Sequence, residues 1–215
     1  MTTGINGAVW ESLYRHGHRL QYPGEMLVRM AHRYLDPERH RRVLDYGFGT
    51  GENLVHLARR GFSVAGVEVS ESALTVARQR LAGLVDPDAL VLHEGGRLGF
   101  ASETFDAVIA WQVLCYNDDE GLRRALVELH RVLRPGGRFL AALCAPGDSR
   151  QSTGEPLGGG VWRLTVPGQD GCLLRVLERE EIPRYFPDTG LEVGSFGHEM
   201  GETVSRHWIV TYEKH

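Results

Sequence analysis

The chain has 215 residues, of which 42% are hydrophobic and 24% charged, and its formal net charge at pH 7 is -4. The length suits one domain with a sizeable core. The acidic balance argues against a nucleic-acid surface, and no stretch approaches the ~18 apolar residues that span a membrane. Cys115, Cys144 and Cys172 are few, odd in number and without zinc-ligand spacing, so we expect reduced thiols and no metal. No leader pattern is present, which favours a cytoplasmic location.

Helical and extended patterns alternate along the first two thirds of the chain. The predicted elements are helices at 9–19 and 24–35, a strand at 42–46, a helix at 52–60, a strand at 63–70, a helix at 71–83, strands at 89–93 and 107–111, a helix at 118–133 and a strand at 138–144. Such alternation predicts an α/β fold with a doubly wound, mainly parallel sheet and right-handed crossovers.

The last third departs from simple alternation. Residues 145–160 are rich in Gly, Pro, Ser and charge, which indicates a long loop. A hairpin is expected between 162–166 and 172–177, followed by a short helix at 178–186. Two closing strands are predicted at 192–196 and 204–212.

Three glycines spaced two apart follow the first predicted strand. Gly47, Gly49 and Gly51 would let the backbone take positive φ and let a ligand lie directly on the main chain. Dinucleotide-binding loops read G-x-G-x-x-G, whereas here Glu52 occupies the position of the third glycine. No G-x-x-x-x-G-K-[S/T] phosphate loop exists in the sequence. The turn therefore indicates a nucleotide-like ligand without specifying which one.

An acidic residue at the end of the next strand narrows the choice of nucleotide-like ligand. Glu68 ends the next strand, so it should lie beside the glycine turn at the carboxyl edge of the sheet. A carboxylate there can accept hydrogen bonds from both hydroxyls of a ribose. The alternative is a solvated acid at a strand end.

Four ordered motifs give the sequence a family resemblance. Asp45–Gly51 followed by Glu68 resembles motifs I and II of the class I S-adenosylmethionine-dependent methyltransferases. Residues 98–106 are similar to the family's L-P-F-x-x-x-x-F-D segment, and residues 131–139 to its R-x-L-K-P-G-G-x-h turn. The resemblance covers about residues 41–146. It implies a Rossmann-like, seven-stranded sheet with an antiparallel C-terminal edge hairpin.

The resemblance also implies the cofactor and its contacts. S-adenosylmethionine would be the methyl donor and S-adenosylhomocysteine the product. The implied cofactor-binding residues are Tyr14, Asp45, Gly47, Phe48, Gly49, Gly51, Asn53, Glu68, Val69, Glu94, Gly95, Trp111 and Gln112. In this scheme the glycine turn holds the methionine part, Glu68 the ribose, and Glu94 with Gly95 the adenine. A surface acid is the alternative for Glu94.

Candidates for the reaction itself are Tyr116, Trp111 and His18. Tyr116 matches a position that often faces the acceptor, although a buried or capping tyrosine is equally compatible with the pattern. A histidine such as His18 is more often a surface or packing residue than a base. Sulfonium chemistry needs a general base only when the nucleophile carries a proton of high pKa.

The N-terminal segment adds an aromatic pattern. Trp10 and Tyr14 are four residues apart and share a helix face. Together with Gly17 and Tyr22-Pro23 they resemble the lid of thiopurine and tellurite-resistance methyltransferases. The alternative is ordinary packing of a helix on the sheet. Among later residues Arg150, Trp162 and Arg163 are candidates for selecting an anionic or aromatic acceptor.

These observations predict a single methyltransferase domain over 1–215. Its parts would be a helical lid at 1–40, a cofactor-binding core at 41–146, an acceptor-side loop, hairpin and short helix at 147–190, and C-terminal strands at 191–215. The expected reaction is in-line transfer of a methyl group to a small molecule by a monomer or homodimer, without membrane or nucleic acid. No N/D-P-P-Y/F motif follows the fourth strand, which disfavours methylation of nucleic-acid bases. Alternatives are a non-catalytic cofactor-binding regulatory or partner protein, and another sulfonium-dependent transferase.

Overall fold

A seven-stranded sheet organises this computed structural model, which describes residues 3–186 and 189–215. The predicted lid and hairpin regions also include residues 1, 2, 187 and 188, which lie outside the described ranges. The strands are β1 (Arg42–Tyr46), β2 (Ser63–Glu68), β3 (Leu90–Leu92), β4 (Phe105–Trp111), β5 (Leu133–Cys144), β6 (Glu155–Gly158), β7 (Val161–Arg163), β8 (Leu173–Arg175), β9 (Glu192–Met200) and β10 (Thr203–Glu213). The α-helices are α1 (Thr3–Arg15), α2 (Glu25–Tyr34), α3 (Glu52–Arg59), α4 (Glu71–Arg80), α5 (Asp119–Val132) and α6 (Ser149–Thr153). Short 3-10 helices cover Pro87–Ala89 and Arg179–Arg184.

The strand order is β3-β2-β1-β4-β5-β10-β9. The first five strands are parallel, and β10 runs antiparallel to both of its neighbours. The predicted doubly wound sheet with an antiparallel edge hairpin is therefore confirmed. The order reverses between β1 and β4, and ligands of such sheets bind outside the carboxyl ends of the strands at this point.

Strand β5 begins earlier than predicted. Phe105 pairs with Leu133 and Ala107 with Arg138, so a bulge in β5 absorbs the Arg-Pro-Gly-Gly turn that separates these two pairs. The apolar pattern used for the prediction starts only after that turn, at residue 138. The bulge therefore joins α5 to the sheet with no separate loop.

Residues 145–160 are more ordered than their composition indicates. Asp148 caps the short helix α6 by accepting a hydrogen bond from the backbone N–H of Arg150. Strand β6 follows and pairs with β7, and β7 pairs with β8 in the predicted hairpin, so that the three strands form a second small sheet. The glycines that suggested a loop include Gly159 and Gly160, which make the tight turn between β6 and β7 with positive φ.

The core fills both faces of the main sheet. Every residue of β4 is buried, as expected for the central strand of a sheet that is covered on both sides. One face packs against α5 through Leu122, Leu126 and Leu129, and the other packs against α2, α3 and α4. Phe48 packs on the face that α2, α3 and α4 cover, and it is 1% exposed. The ring of Phe48 therefore anchors the turn after β1 in the core.

Gly66 makes room for that anchor. A Cβ atom at Gly66 would lie 2.3 Å from Cδ1 of Phe48 and 3.2 Å from Cδ1 of Leu54. We expect Gly66→Ala to lower the free energy of unfolding by about 1–3 kcal/mol, because the ring has no space to yield. Urea unfolding followed by tryptophan fluorescence measures the change. Gly99→Ala is the control, since nothing lies within 4 Å of its Cβ position. Equal stability of the two variants would contradict this account of the packing.

Candidate functional site

A cavity of about 330 Å³ opens above the carboxyl ends of the central strands, with α1 packed over it. Eleven of the predicted site residues line it: Tyr14, His18, Gly47, Phe48, Gly49, Asn53, Glu68, Val69, Trp111, Gln112 and Tyr116. We call the part around Gly49 and Glu68 the Glu68 end, and the part around Tyr116 and Arg150 the Tyr116 end. The volume lies within the range of small-molecule sites.

The backbone of the glycine turn is closely covered. Gly47 and Gly49 have φ values of 74° and 57°, which residues with a side chain rarely adopt. A Cβ at Gly47 would lie 2.3 Å from Cγ2 of Val113, and one at Gly49 would lie 2.9 Å from the hydroxyl oxygen of Tyr14. Both positions therefore require glycine for space as well as for conformation.

Gly51 has a different place. It has a φ of 85° and caps α3, and a Cβ there would lie 3.2 Å from Ala77 of α4. Gly51 does not line the cavity. Its absent side chain lets the two helices approach each other.

Glu68 is 5% exposed and holds the glycine turn directly. Its Oε2 accepts a hydrogen bond of 2.9 Å from the N–H of Gly49, while Oε1 accepts bonds from the N–H groups of Val69 and Ser70. Burial raises the pKa of the Glu68 carboxyl, and the three N–H donors oppose that shift. A carboxylate has about four acceptor positions, so one remains for a ligand.

Asp45 lies at the end of β1, 1% exposed, and does not line the cavity. Neither of its carboxyl oxygens has a hydrogen-bond partner. Burial, with smaller contributions from the charges of Glu52 and Glu68, raises the pKa of Asp45 to about 8. A buried carboxyl group without a partner is costly, so this position is suited to a cationic or hydrogen-bonding group that the protein itself does not supply.

Glu52 completes a group of three buried carboxyls. It is 9% exposed, accepts a hydrogen bond from Thr50 Oγ1, and pairs with Arg80 at 3.3 Å. Burial raises the pKa of Glu52 as well. Asp45, Glu52 and Glu68 surround one turn, and the proton held by Asp45 can be released when a positive charge approaches. The Glu68 end therefore favours a cationic ligand over a phosphate.

Aromatic rings on α1 cover the cavity. Trp10 stacks on Tyr14 with ring centroids 5.8 Å apart and meets Tyr116 edge-on at 4.9 Å. The ring of Tyr14 also lies next to that of His18, with the ring centroids 5.9 Å apart. The predicted pair Trp10 and Tyr14 thus shares a face that looks onto the cavity, with His18 at the Glu68 end.

Two polar side chains attach α1 to the rest of the molecule. Asn6 donates to the backbone oxygens of Tyr116 and Leu173 and accepts a bond from the N–H of Leu173. Glu11 accepts hydrogen bonds from the hydroxyls of Ser70 and Ser72, at 2.7 and 2.6 Å. The helix is therefore bonded to both sides of the cavity.

The Tyr116 end carries a polar network. Nη1 of Arg150 donates to the hydroxyl of Tyr116 at 2.8 Å, and that hydroxyl donates to Oε1 of Gln169 at 3.3 Å. Gln112 has a φ of 56°, which is uncommon for a residue other than glycine. Its Nε2 lies 2.9 Å from Nε2 of His207. Burial and the nearby Arg150 lower the pKa of His207 to about 4. Burial raises the pKa of Tyr116.

Other predicted residues lie away from the cavity. Glu94 is exposed, and Gly95 lines a separate smaller pocket. Arg163 pairs with Glu155 at the surface. Trp162 packs with the small cluster around the second sheet.

Several lining residues were not predicted from the sequence: Asn6, His93, Val113, Asn117 and Gln169. Most of them lie in turns, or on a helix face whose direction only the packing decides. Asn6 falls one helical turn before Trp10, and that spacing was the available signal.

The described residues include neither a membrane-spanning helix nor a metal-binding cluster. No helix among 3–186 and 189–215 is long and apolar enough to cross a membrane. In the same part of the chain, no group of three or more His, Cys, Asp or Glu side chains is placed to hold a metal ion.

Comparison with known proteins gives one consistent picture. Residues 43–137 match the family model described as a methyltransferase domain. The chain is 35% identical to methyltransferase GfsG of Streptomyces halstedii over 55% of this chain and 43% of that protein. It is 34% identical to demethylmenaquinone methyltransferase of Tropheryma whipplei over 46% of this chain and 39% of that protein. The chain thus spans about two fifths of the length of these relatives.

A solved structure shares the fold over nearly the whole chain. It is the 1,6-didemethyltoxoflavin-N1-methyltransferase of Burkholderia thailandensis, with 1,6-didemethyltoxoflavin and S-adenosylhomocysteine bound. The TM-score is 0.71 at 18% identity, covering 98% of this chain and 88% of that chain. The shared motifs, the matched domain and the fold agree. The chain therefore contains, at residues 43–137, a methyltransferase domain similar to that of the class I S-adenosylmethionine-dependent methyltransferases.

Proposed function

We propose that this protein transfers a methyl group from S-adenosylmethionine to a small-molecule acceptor. The observation that carries the proposal is the group of three buried carboxyls, Asp45, Glu52 and Glu68, around the glycine turn. S-adenosylmethionine carries a sulfonium and an ammonium group and no phosphate, so its charge complements this end of the cavity. A nicotinamide dinucleotide would bring two phosphates to the same carboxyls.

The residues present fit this cofactor. Asp45, behind the glycine turn, has two buried oxygens without a partner, and the backbone of Gly47 and Gly49 lines the cavity where the methionine part can lie. Glu68 holds the ribose, and Val69 packs beside the adenine. The adenine contacts expected of Glu94 and Gly95 remain a proposal that needs the turn after β3 to approach the ligand.

Bound S-adenosylmethionine supplies an electrophilic methyl group, which moves to the acceptor's lone pair while the electrons of the S–C bond stay on sulfur. The chain's residues act by positioning and by excluding water. Trp10, Tyr14 and Trp111 wall the cavity with rings, while Gln112 and Tyr116 orient the acceptor. His18 lies at the Glu68 end, so it is a candidate proton acceptor for a protonated nucleophile that reaches that end.

The wider description follows from the same proposal. The acceptor is a small molecule, in keeping with relatives named for menaquinone and toxoflavin chemistry. We propose a cytoplasmic monomer or homodimer that acts without nucleic acid or a membrane, with the chain forming one domain divided as the sequence predicts.

Methyl transfer itself is tested with labelled donor. The purified protein is incubated with S-adenosylmethionine carrying a labelled methyl group and a fractionated small-molecule extract. We expect label to enter an extract component only when the protein is present. Donor binding without transfer to any fraction between pH 6 and 9 would favour the alternative of a non-catalytic binding protein. Transfer of an aminopropyl group instead would identify another sulfonium-dependent transferase.

Glu68→Ala tests the ribose contact. The variant removes a ligand contact and the acceptor of the Gly49 N–H, so we expect S-adenosylhomocysteine to bind at least about tenfold more weakly. Titration calorimetry measures the affinity. Glu71→Ala is the matched control, because this exposed glutamate begins α4 outside the cavity. Unchanged affinity in Glu68→Ala would refute the ribose assignment.

Asp45→Asn tests the role of the unpartnered carboxyl. The folded pKa of about 8 lies above the reference value of 3.8, so the folded protein keeps a proton that the unfolded chain releases. This contribution to stability is present below about pH 4 and is lost as the pH rises towards 8. The charge of a ligand ammonium at the Glu68 end should lower this pKa, so we expect binding of S-adenosylhomocysteine at pH 7.5 to release up to about one proton.

The released proton is counted by calorimetry in buffers with different ionisation enthalpies. In Asp45→Asn the release should vanish, and stability should no longer fall between pH 5 and 8 through this group. Glu71→Gln, which changes an exposed acid at the start of α4 outside the cavity, is the control and should leave both quantities unchanged. Equal proton release from wild type and Asp45→Asn would contradict this assignment.

A further inference from the structure

Arg150 is the one arginine or lysine among the described residues that line the cavity. It lies at the Tyr116 end, opposite the buried carboxyls of the Glu68 end. Its side chain is 20% exposed, whereas that of its partner Asp148 is 2% exposed. The guanidinium therefore faces the cavity with the carboxylate behind it.

Asp148 fixes the orientation of this guanidinium. Nε of Arg150 donates to Oδ1 at 2.8 Å and Nη2 donates to Oδ2 at 3.1 Å, which is a two-point pairing. Asp148 also accepts hydrogen bonds from the backbone N–H groups of Arg150 and Arg206. Because these amides share in stabilising Asp148, its charge does not depend on Arg150 alone.

The hydrogen bonds of Arg150 leave one donor over. A guanidinium has five N–H groups. Nε and Nη2 use theirs on Asp148 and, more weakly, on His207 at 3.5 Å and Cys144 at 3.7 Å. Nη1 gives one hydrogen to the Tyr116 hydroxyl. Its second hydrogen has no partner among the described residues.

The groups around this donor are poor bases at neutral pH. Burial raises the pKa of Tyr116, and it raises that of Cys115 to about 11. His207 is neutral, and its Nε2 faces two donor groups, Nη2 of Arg150 at 3.5 Å and the side-chain amide of Gln112 at 2.9 Å, so its lone pair is already engaged. A nucleophile still carrying its proton finds no ready acceptor here, whereas an anionic oxygen needs none.

We propose that Arg150, with the Tyr116 hydroxyl beside it, binds an anionic oxygen of the methyl acceptor, which is therefore a small carboxylate or acidic phenol. The inference rests on the proposed function and names the acceptor class for the same cavity. The free Nη1 hydrogen and the hydroxyl, whose bond to Gln169 is long at 3.3 Å, supply two donors to that oxygen. Rings of Trp10 and Trp111 give a flat acceptor its walls.

Matched small-molecule pairs test this inference. The protein is saturated with S-adenosylhomocysteine and screened by ligand-observed NMR against aromatic carboxylates with their carboxamides, and acidic phenols with their methyl ethers. We expect the anionic member to bind roughly tenfold or more tightly than its neutral partner. The carboxylate and phenol arms distinguish the two sources of the oxygen.

Three variants identify the residue responsible. Arg150→Gln should abolish the preference for the anion, and Tyr116→Phe, which leaves the Arg150–Asp148 pair intact, should reduce it severalfold. Arg163→Gln removes an arginine of the neighbouring strand β7 that pairs with Glu155 at the surface, and it should keep the full preference. If Arg150→Gln fails to fold, Tyr116→Phe and Arg150→Lys test the inference instead. The lysine retains the positive charge but loses the two-point pairing with Asp148.

The outcomes separate this inference from the proposed function. Failure of the protein to bind S-adenosylhomocysteine would contradict the proposed function. If S-adenosylhomocysteine binds, three results would overturn only the assignment of Arg150. These are that no anion binds, that both members of a pair bind with equal affinity, or that the preference for the anion survives in Arg150→Gln. A preference lost equally in Arg163→Gln would also overturn it.

Discussion

Burial of three carboxyls beside one backbone turn is the constraint around which the cavity is arranged. Asp45 and Glu68 end adjacent parallel strands, so the topology of the sheet brings them to the same edge, and Glu52 enters from the helix that begins there. Removing a carboxylate from water costs several kcal/mol unless a partner compensates. Glu68 has three N–H donors and Glu52 has Arg80, whereas Asp45 has no partner. Without a ligand, the elevated pKa of Asp45 means that a proton relieves the cost.

The opposite end of the cavity has the complementary chemistry. There the fixed charge is Arg150, and the groups near it are neutral because burial moves their pKa values away from neutrality. Gln112 follows β4 directly in this end of the cavity and holds a left-handed backbone conformation that costs free energy. Its bond to His207 fixes its amide. One cavity can thus orient two different ligands, a cation at one end and an electron-rich group at the other.

How far the sequence predicts this arrangement depends on whether a local pattern decides the position. Strand β1 was predicted with its observed bounds, because an apolar run between charged and glycine residues leaves no other register. Glu68 follows from the same reasoning one strand later. Glu94 does not line the cavity because β3 ends at Leu92, and the direction of the short turn beyond it is set by tertiary packing. Arg150 was a loose candidate in an expected loop, and its orientation depends on the ion pair with Asp148.

The position of α1 links the two ends without any movement of the sheet. Asn6 bonds the backbone of Tyr116, next to the guanidinium of Arg150, while Glu11 bonds Ser70, two residues after Glu68. On the same helix, Trp10 and Tyr14 form the roof over the cavity. The contacts of Asn6 and Glu11 therefore fix the position of this roof relative to both Arg150 and Glu68.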